Sequence, residues 1–355
     1  MCRSLAESGH EVFFVCASGA ALRNQLVTGV IIKTADLPTS RLERMWRTTQ
    51  GILTQAQSLG GDIYHFHDPD FLPLAVSFQE RTRAPVVYDV HEDYRVHMAK
   101  PWLPKLLQGI ASRGVGYFED KVSPHLAGVV AATPHIAKQF KGHSNLAVVQ
   151  NFPKLEEFDY SVSTNHARTK SFVYVGGITR GRGILQMVQA LSTVESDCEL
   201  RLAGAFRSKD LRSCCRELNG WDKVRELGYL RRAGVKRTLA HAQCGLVLYH
   251  PCPNNIHSYP TKFFEYMATG LPVIASDFPL WRSIIEGAGC GLLVDPLDPQ
   301  AIADAMQWVL DHPVQAEAMG RRGREAVEQK YNWECEFEKL KALYERLLSG
   351  GWEAS

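Results

Sequence analysis

Short runs of β-branched and aromatic residues alternate with longer amphipathic stretches along almost the whole chain, in two series separated by a polar break. Few folds accept that alternation, because a short strand followed by a helix returns to the sheet as a parallel neighbour. In the first series strands are expected near Glu11 to Cys16, Val30 to Lys33, Asp62 to His67, Pro85 to His91, Gly128 to Thr133 and Val148 to Asn151. The second series places them near Phe172 to Gly176, Glu199 to Gly204, Val224 to Gly228, Gly245 to Tyr249, Pro272 to Ser276 and Gly291 to Val294. The break, Ser161 to Lys170, is rich in Ser, Thr and Asn without apolar periodicity and reads as a linker. At 355 residues the chain exceeds one ordinary core and suits two. The expected architecture is α/β, with two Rossmann-like domains facing each other across a cleft, 1–160 and 161–332, followed by a last helical segment, 333–355. In that helix Trp333, Phe337, Leu340, Tyr344 and Leu347 form one apolar stripe that must lie along something.

The start breaks the pattern. Cys2, Leu5 and Ala6 begin as a helix that ends at Gly9, with a strand after it and none before. A βαβ unit starts with a strand, so the N-terminal domain is expected to lack its first strand and the Gly-rich turn behind it. Its neighbours would then face each other unpaired.

The charge balance argues for a local anion site. Forty Lys and Arg against 38 Asp and Glu give a net charge of +2, so no global field selects nucleic acid as a partner. Nine Cys stand without the close pairs of a zinc site and read as reduced thiols. No apolar run reaches the ~18 residues of a membrane span, and the first ten residues lack the apolar core of a signal peptide. A cytoplasmic protein is expected, at most peripheral at the inner face of a membrane.

The most informative stretch runs from Ser258 to Ser276. Ser258 and Pro260 signal a helix start, and Gly270 with Pro272 a stop that leads into a Val-Ile strand. At about 100° per residue, Phe263, Phe264, Met267 and Ala268 share one side and Thr261, Lys262, Glu265 and Thr269 the other. A helix N-terminus carries partial positive charge, and Lys262 in its first turn suits it to a diphosphate. One turn deeper, Glu265 is placed to accept hydrogen bonds from ribose hydroxyls. The plainer alternative is a surface ion pair worth about 0.2–0.5 kcal/mol.

With Tyr174-Val-Gly-Gly-Ile-Thr-Arg-Gly-Arg-Gly183, this segment resembles the retaining glycosyltransferases of family 4, which have the GT-B fold. The likeness extends to Asp62-Ile-Tyr-His-Phe-His-Asp68, Tyr88-Asp-Val-His-Glu-Asp-Tyr94, Asn151-Phe-Pro153, Phe278-Pro-Leu-Trp-Arg282, Gly291-Leu-Leu-Val-Asp-Pro296 and Tyr331-Asn-Trp333, in that order. It implies a nucleoside-diphosphate sugar as donor in the C-terminal domain, a glycan or lipid-linked acceptor in the N-terminal one, and a last helix that crosses back to the N-terminal domain. No metal or other cofactor is expected. The resemblance implies a basic pair at the diphosphate; Gly177 stands where its Arg is expected, Arg182 occupies the position of its Lys, and Arg180 is the candidate to compensate. His257 stands where the first of two paired glutamates, eight positions before Glu265, would face the donor sugar. His91 matches a His at the reacting centre, with Glu92 and Asp93 expected to hold its tautomer. Asp68 is either an acceptor-side contact or a helix cap.

Met98 to Tyr117 carries Trp102, Leu103 and Ile110 with Lys100, Lys105 and Arg113, a composition that fits an anionic membrane, core packing or an acceptor-site lid. The expected activity is retaining transfer of a sugar to an acceptor hydroxyl in polysaccharide or glycoconjugate synthesis. A sugar-nucleotide epimerase, a noncatalytic partner of an active transferase and a glycogen-synthase-like polymerase share the fold and stay open.

Overall fold

A computed structural model describes residues 1–17, 25–35, 47–97, 105–158 and 168–352. The chain contacts divide into two compact units, Met1–Gln150 with Glu336–Ser355, and Asn151–Cys335. Most of the expected linker and the first part of the Met98 to Tyr117 segment lie outside the described residues. The second unit starts earlier than the polar break because Phe152 and Phe158 are buried in its core, Phe152 edge-on to Phe264 and Tyr331. The end of the break belongs to it too, since the Arg168 guanidinium donates to the carbonyls of Ala242, Thr269 and Gly270.

The first unit holds β1 (Val12–Ala17), β2 (Gln25–Val27), β3 (Val30–Ala35), β4 (Tyr64–Phe66), β5 (Val86–Val90), β6 (Gly128–Ala131) and β7 (Leu146–Val148). They form two sheets, β1-β3-β2 and β4-β5-β6-β7. Pairing is parallel except for β2, which the sequence pattern had not marked. It folds back on β3 through Thr28 and Gly29, both with positive φ (48° and 80°), the geometry that matches a tight hairpin to strand twist. No strand pairing joins β1 to β4 among the described residues, so the expected gap is present. From Glu336 onward the Trp333–Leu348 helix groups with this unit. The Gln150 N–H donates to Glu336 Oε2 at 2.9 Å, and Leu347 lies against Gly128 of β6.

The second unit is one parallel six-stranded sheet, β10-β9-β8-β11-β12-β13, built from β8 (Ser171–Val175), β9 (Glu199–Ala203), β10 (Val224–Gly228), β11 (Cys244–Val247), β12 (Val273–Ser276) and β13 (Gly291–Val294). All its pairings are parallel. Its two faces carry separate apolar clusters, with Phe172, Tyr174 and Leu246 in one and Val173 and Val247 in the other. That is why its strands read as nearly continuous apolar runs rather than alternating ones.

Candidate functional site

In the second unit the Thr261–Ala268 helix brings Lys262 beneath the end of β8. Lys262 is 7% exposed, and its Nζ donates to Tyr249 Oη at 2.5 Å while lying 5.3 Å and 5.0 Å from the Tyr174 and Tyr249 ring centres. Arg182 Nη1 donates to the same Oη at 3.1 Å. Gly176, at φ 127°, makes room for both, since a Cβ there would sit 3.3 Å from Lys262 Nζ and 3.7 Å from Arg182 Nη1. Two cations thus share one phenol, and neither has a carboxylate ion pair among the described residues. Burial, with the Arg182 charge second, lowers the Lys262 ammonium to about 7 despite Glu265 nearby. Such a site stores an unmet demand for negative charge.

The other expected donor-side residues are placed differently. Glu265 lies on the same helix, and its Oε1 accepts from Arg232 Nη1 at 2.6 Å while the rest of that guanidinium grips Glu157. Arg180 turns its Nη2 toward Cys214 Sγ at 3.4 Å, so it does not join Arg182 and Lys262. The reason is local. Arg180–Arg182 is one short helical turn closed by Gly183, and the turn aims its first and last side chains apart. His257 ends the Pro253–Ile256 helix and is exposed. Ser258 does not cap the Thr261–Ala268 helix; its hydroxyl donates to the Asn255 carbonyl, and Pro260 takes the capping position.

In the first unit, period two along β4 and β5 puts His65, His67, Asp89 and His91 on one face. Asp89, 2% exposed, receives all three imidazoles on Oδ2: His65 Nε2 at 3.1 Å, His67 Nδ1 at 3.0 Å and His91 Nε2 at 3.1 Å. His67 Nδ1 and His91 Nε2 are 2.9 Å apart, and His65 Nδ1 meets Tyr344 Oη of the last helix at 2.6 Å. Burial alone would raise the Asp89 carboxyl, but the three histidine hydrogen bonds outweigh it and hold it well below the usual carboxylate range. The Asp89 hydrogen bond raises His91 against its partial burial, whereas burial lowers His65. Among the described residues, His65, His67 and Asp89 form a group with donor atoms close enough for a metal ion, within 4.8 Å of one another.

Asp89 is a direct partner of His91, and the Glu92 charge raises that histidine further. Asp93 instead accepts from the Arg95 N–H at 3.1 Å at the start of the next helix and stands 4.0 Å from His135. Asp68 takes the capping position of the Pro69–Phe71 turn without a side-chain cap bond, exposed beside His67.

A model of the family described as Glycosyltransferase Family 4 matches residues 1–156, and one described as Glycosyl transferases group 1 matches residues 157–326. This chain belongs to the family 4 glycosyltransferases. Among the relatives of this glycosyltransferase, a phosphatidyl-myo-inositol mannosyltransferase of Mycobacterium leprae is 24% identical over 82% of this chain and 75% of its own. The D-rhamnosyltransferase WbpZ of Pseudomonas aeruginosa is 26% identical over 76% and 70%. The fold is of the GT-B type, as in sucrose-phosphate synthase of Thermosynechococcus elongatus, with a TM-score of 0.76 at 18% identity over 98% of this chain and 92% of that one. HepE of Anabaena, solved in complex with UDP, gives 0.70 at 13% identity over 95% and 100%.

Sequence reasoning about this glycosyltransferase missed His65, His67, Asp89, Tyr249 and Arg232. For the first three the signal was present, because His65, His67, Val87, Asp89 and His91 are all odd-numbered on adjacent parallel strands. Tyr249 follows β11, far in sequence from its two partners, and carried no such mark.

Proposed function

We propose that this glycosyltransferase binds a nucleoside-diphosphate sugar through Lys262, Arg182 and Glu265 and transfers the sugar with retention to the hydroxyl of a glycan or lipid-linked acceptor. The observation that carries the reading is the pair of cations on Tyr249 Oη beside the backbone of Gly176. A diphosphate replaces the phenol as their shared acceptor, and Glu265, held by Arg232, accepts from the ribose hydroxyls. When the bond between the anomeric carbon and the phosphate oxygen breaks, its electron pair leaves with the phosphate. Charge then grows where the two cations wait, so they stabilise the transition state more than the bound donor. The acceptor oxygen bonds the anomeric carbon on the face the phosphate leaves, and its proton passes to the departing phosphate. In the first unit His91, hydrogen-bonded to Asp89, is the residue assigned to the transfer step. Structures of the HepE relative with UDP and UDP-glucose support a uridine donor.

Titration calorimetry with UDP and GDP tests the site. Lys262→Ala and Glu265→Ala each remove a charge-assisted hydrogen bond and are expected to weaken nucleotide binding by about 1.5–3 kcal/mol. Unchanged affinity in both variants would place the nucleotide elsewhere. A second reading, a noncatalytic partner of an active transferase, is favoured by Gly177, by His257 and by the open edges of β1 and β4. Nucleotide binding without donor hydrolysis or transfer, across a panel of sugars, would decide for it.

A further inference from the structure

The three imidazoles gathered around Asp89 are more than hydrogen bonding alone accommodates. His67 Nδ1 and His91 Nε2 stand 2.9 Å apart, and they lie 3.0 Å and 3.1 Å from the same Asp89 Oδ2. If both nitrogens carry protons toward the carboxylate, two N–H groups crowd each other. If one is instead a lone pair accepting from the other, that lone pair also faces the carboxylate oxygen. Either way one side of the triangle joins like to like, and His65 Nε2 crowds the same oxygen at 3.1 Å. A cation among these atoms meets only lone pairs. The spacing suits one: ligand atoms about 2.0–2.1 Å from a tetrahedral zinc ion stand about 3.3 Å apart. The contacts of 2.9, 3.0 and 3.1 Å therefore need to open by only a few tenths of an ångström. Donor atoms of His65 and His67 lie within 4.8 Å of each other, and the exposed His67 ring is free to turn inward. His65 and Asp89, 9% and 2% exposed, form the fixed floor of the group.

We propose that His65 Nε2, His67 Nδ1, His91 Nε2 and Asp89 Oδ2 bind one divalent transition-metal ion of the zinc class. Imidazole nitrogens suit zinc, whereas magnesium and calcium take oxygen ligands. Each neutral imidazole keeps its one proton, moved to the nitrogen that faces away from the ion. For His65 that nitrogen is Nδ1, 2.6 Å from Tyr344 Oη, so the hydroxyl need only turn from donor to acceptor. Such an outer partner fixes the ring and its tautomer, as around many zinc-bound histidines. The charges of Asp68 and Glu92 act on His91 as well, which adds negative potential for a cation. Solvent reaches the group past His67 and His91, 40% and 44% exposed. The bound ion would hold the protein inactive, because it occupies His91 Nε2 and takes Asp89 Oδ2 away from it. That consequence rests on the function proposed above, which gives His91 the transfer step; the metal site does not.

The probe is Zn²⁺ alone, titrated into the chelator-stripped full chain in competition with a chromophoric chelator, with Co²⁺ as its spectroscopic substitute. One ion per chain is expected. Bound Co²⁺ should show the strong visible bands of four-coordinate ligation, without the near-ultraviolet charge transfer of a thiolate. His67→Ala should weaken Zn²⁺ binding by more than about a hundredfold, because a ligand counts for more than an outer partner, and Tyr344→Phe by about tenfold. His67 is exposed, so a circular dichroism spectrum matching the parent assigns the loss to the ligand and not to the fold. His312→Ala, in the second unit, should leave the affinity as it was. A Zn²⁺ affinity indifferent to His67→Ala, or the weak bands of six-coordinate Co²⁺, would overturn the proposal. So would a thiolate band, which would give the ion to a cysteine. Zn²⁺ at saturation should also slow sugar transfer by about tenfold or more while UDP affinity stays unchanged, since the cations of the proposed donor site belong to the other unit. Zinc bound at these histidines with transfer unimpeded would count against His91 in the transfer step and leave the metal site standing. Failure of UDP to bind would count against the donor site alone.

Discussion

Lys262 is the residue on which charge, burial and ligand meet most directly. Its ammonium titrates near 7 in the folded protein, against a usual value near 10.5. Between those limits the unfolded chain binds more protons than the folded one, so this group makes stability rise with pH from about 7 and withholds that gain below it. A diphosphate reverses the bias, because a bound anion favours the charged ammonium. UDP binding at pH 8 is therefore expected to take up a proton, read as a dependence of the calorimetric enthalpy on buffer ionisation enthalpy, and affinity should fall as pH rises above 7. A Lys262→Met variant should show neither effect; if it keeps the proton uptake, another group is responsible. Asp89 makes the opposite case, a buried anion whose three imidazole donors keep it charged. Asp89→Asn should move the His91 titration downward in an NMR histidine titration, because the hydrogen bond that raises it is lost. A His91 midpoint indifferent to that change would remove Asp89 as its positioning residue.

At the scale of the element, one of the polar contacts that hold the Thr261–Ala268 helix lies inside an apolar interface. The Tyr266 hydroxyl accepts the Val175 N–H at 2.9 Å, at the carboxyl end of β8. Gly245 of β11 leaves room for the ring, since a Cβ there would fall 2.1 Å from it. Tyr266→Phe leaves that amide without its partner and is expected to cost about 1–3 kcal/mol. The check is urea denaturation, and a midpoint unmoved by the change would show that the amide has another acceptor. Most of this element was legible beforehand, because a strand and a helix declare themselves by local periodicity and punctuation. The second-unit strands accordingly fall within a residue or two of their expected ends. The burial of Lys262 was not legible: helical spacing put it on the polar side, and only the tyrosines from β8 and from beyond β11 roof it over. For the same reason Arg180 stood as the compensating partner of Arg182 until the turn separated them. β2 escaped because its three residues are all exposed and carry no alternation.

Taken whole, the described residues form apolar clusters that each belong to a single unit. The clusters around Phe172 and Phe264 lie wholly within Asn151–Cys335, and the cluster around Tyr88 wholly within the other unit. A ligand that binds only the native form of one unit stabilises that unit, by about 2.7 kcal/mol at a hundredfold excess over Kd. The proposed donor site draws all its residues from the second unit. Saturating UDP should therefore slow hydrogen exchange in Gly176 to Gly183, in Tyr249 to Tyr266 and along β8 and β11, while β4 to β7 exchange as before. If UDP slows exchange equally in both units, the two cores open together. The donor site would then be coupled to the histidine cluster in the energetics of folding, and the separate clusters would no longer mark separate units of stability.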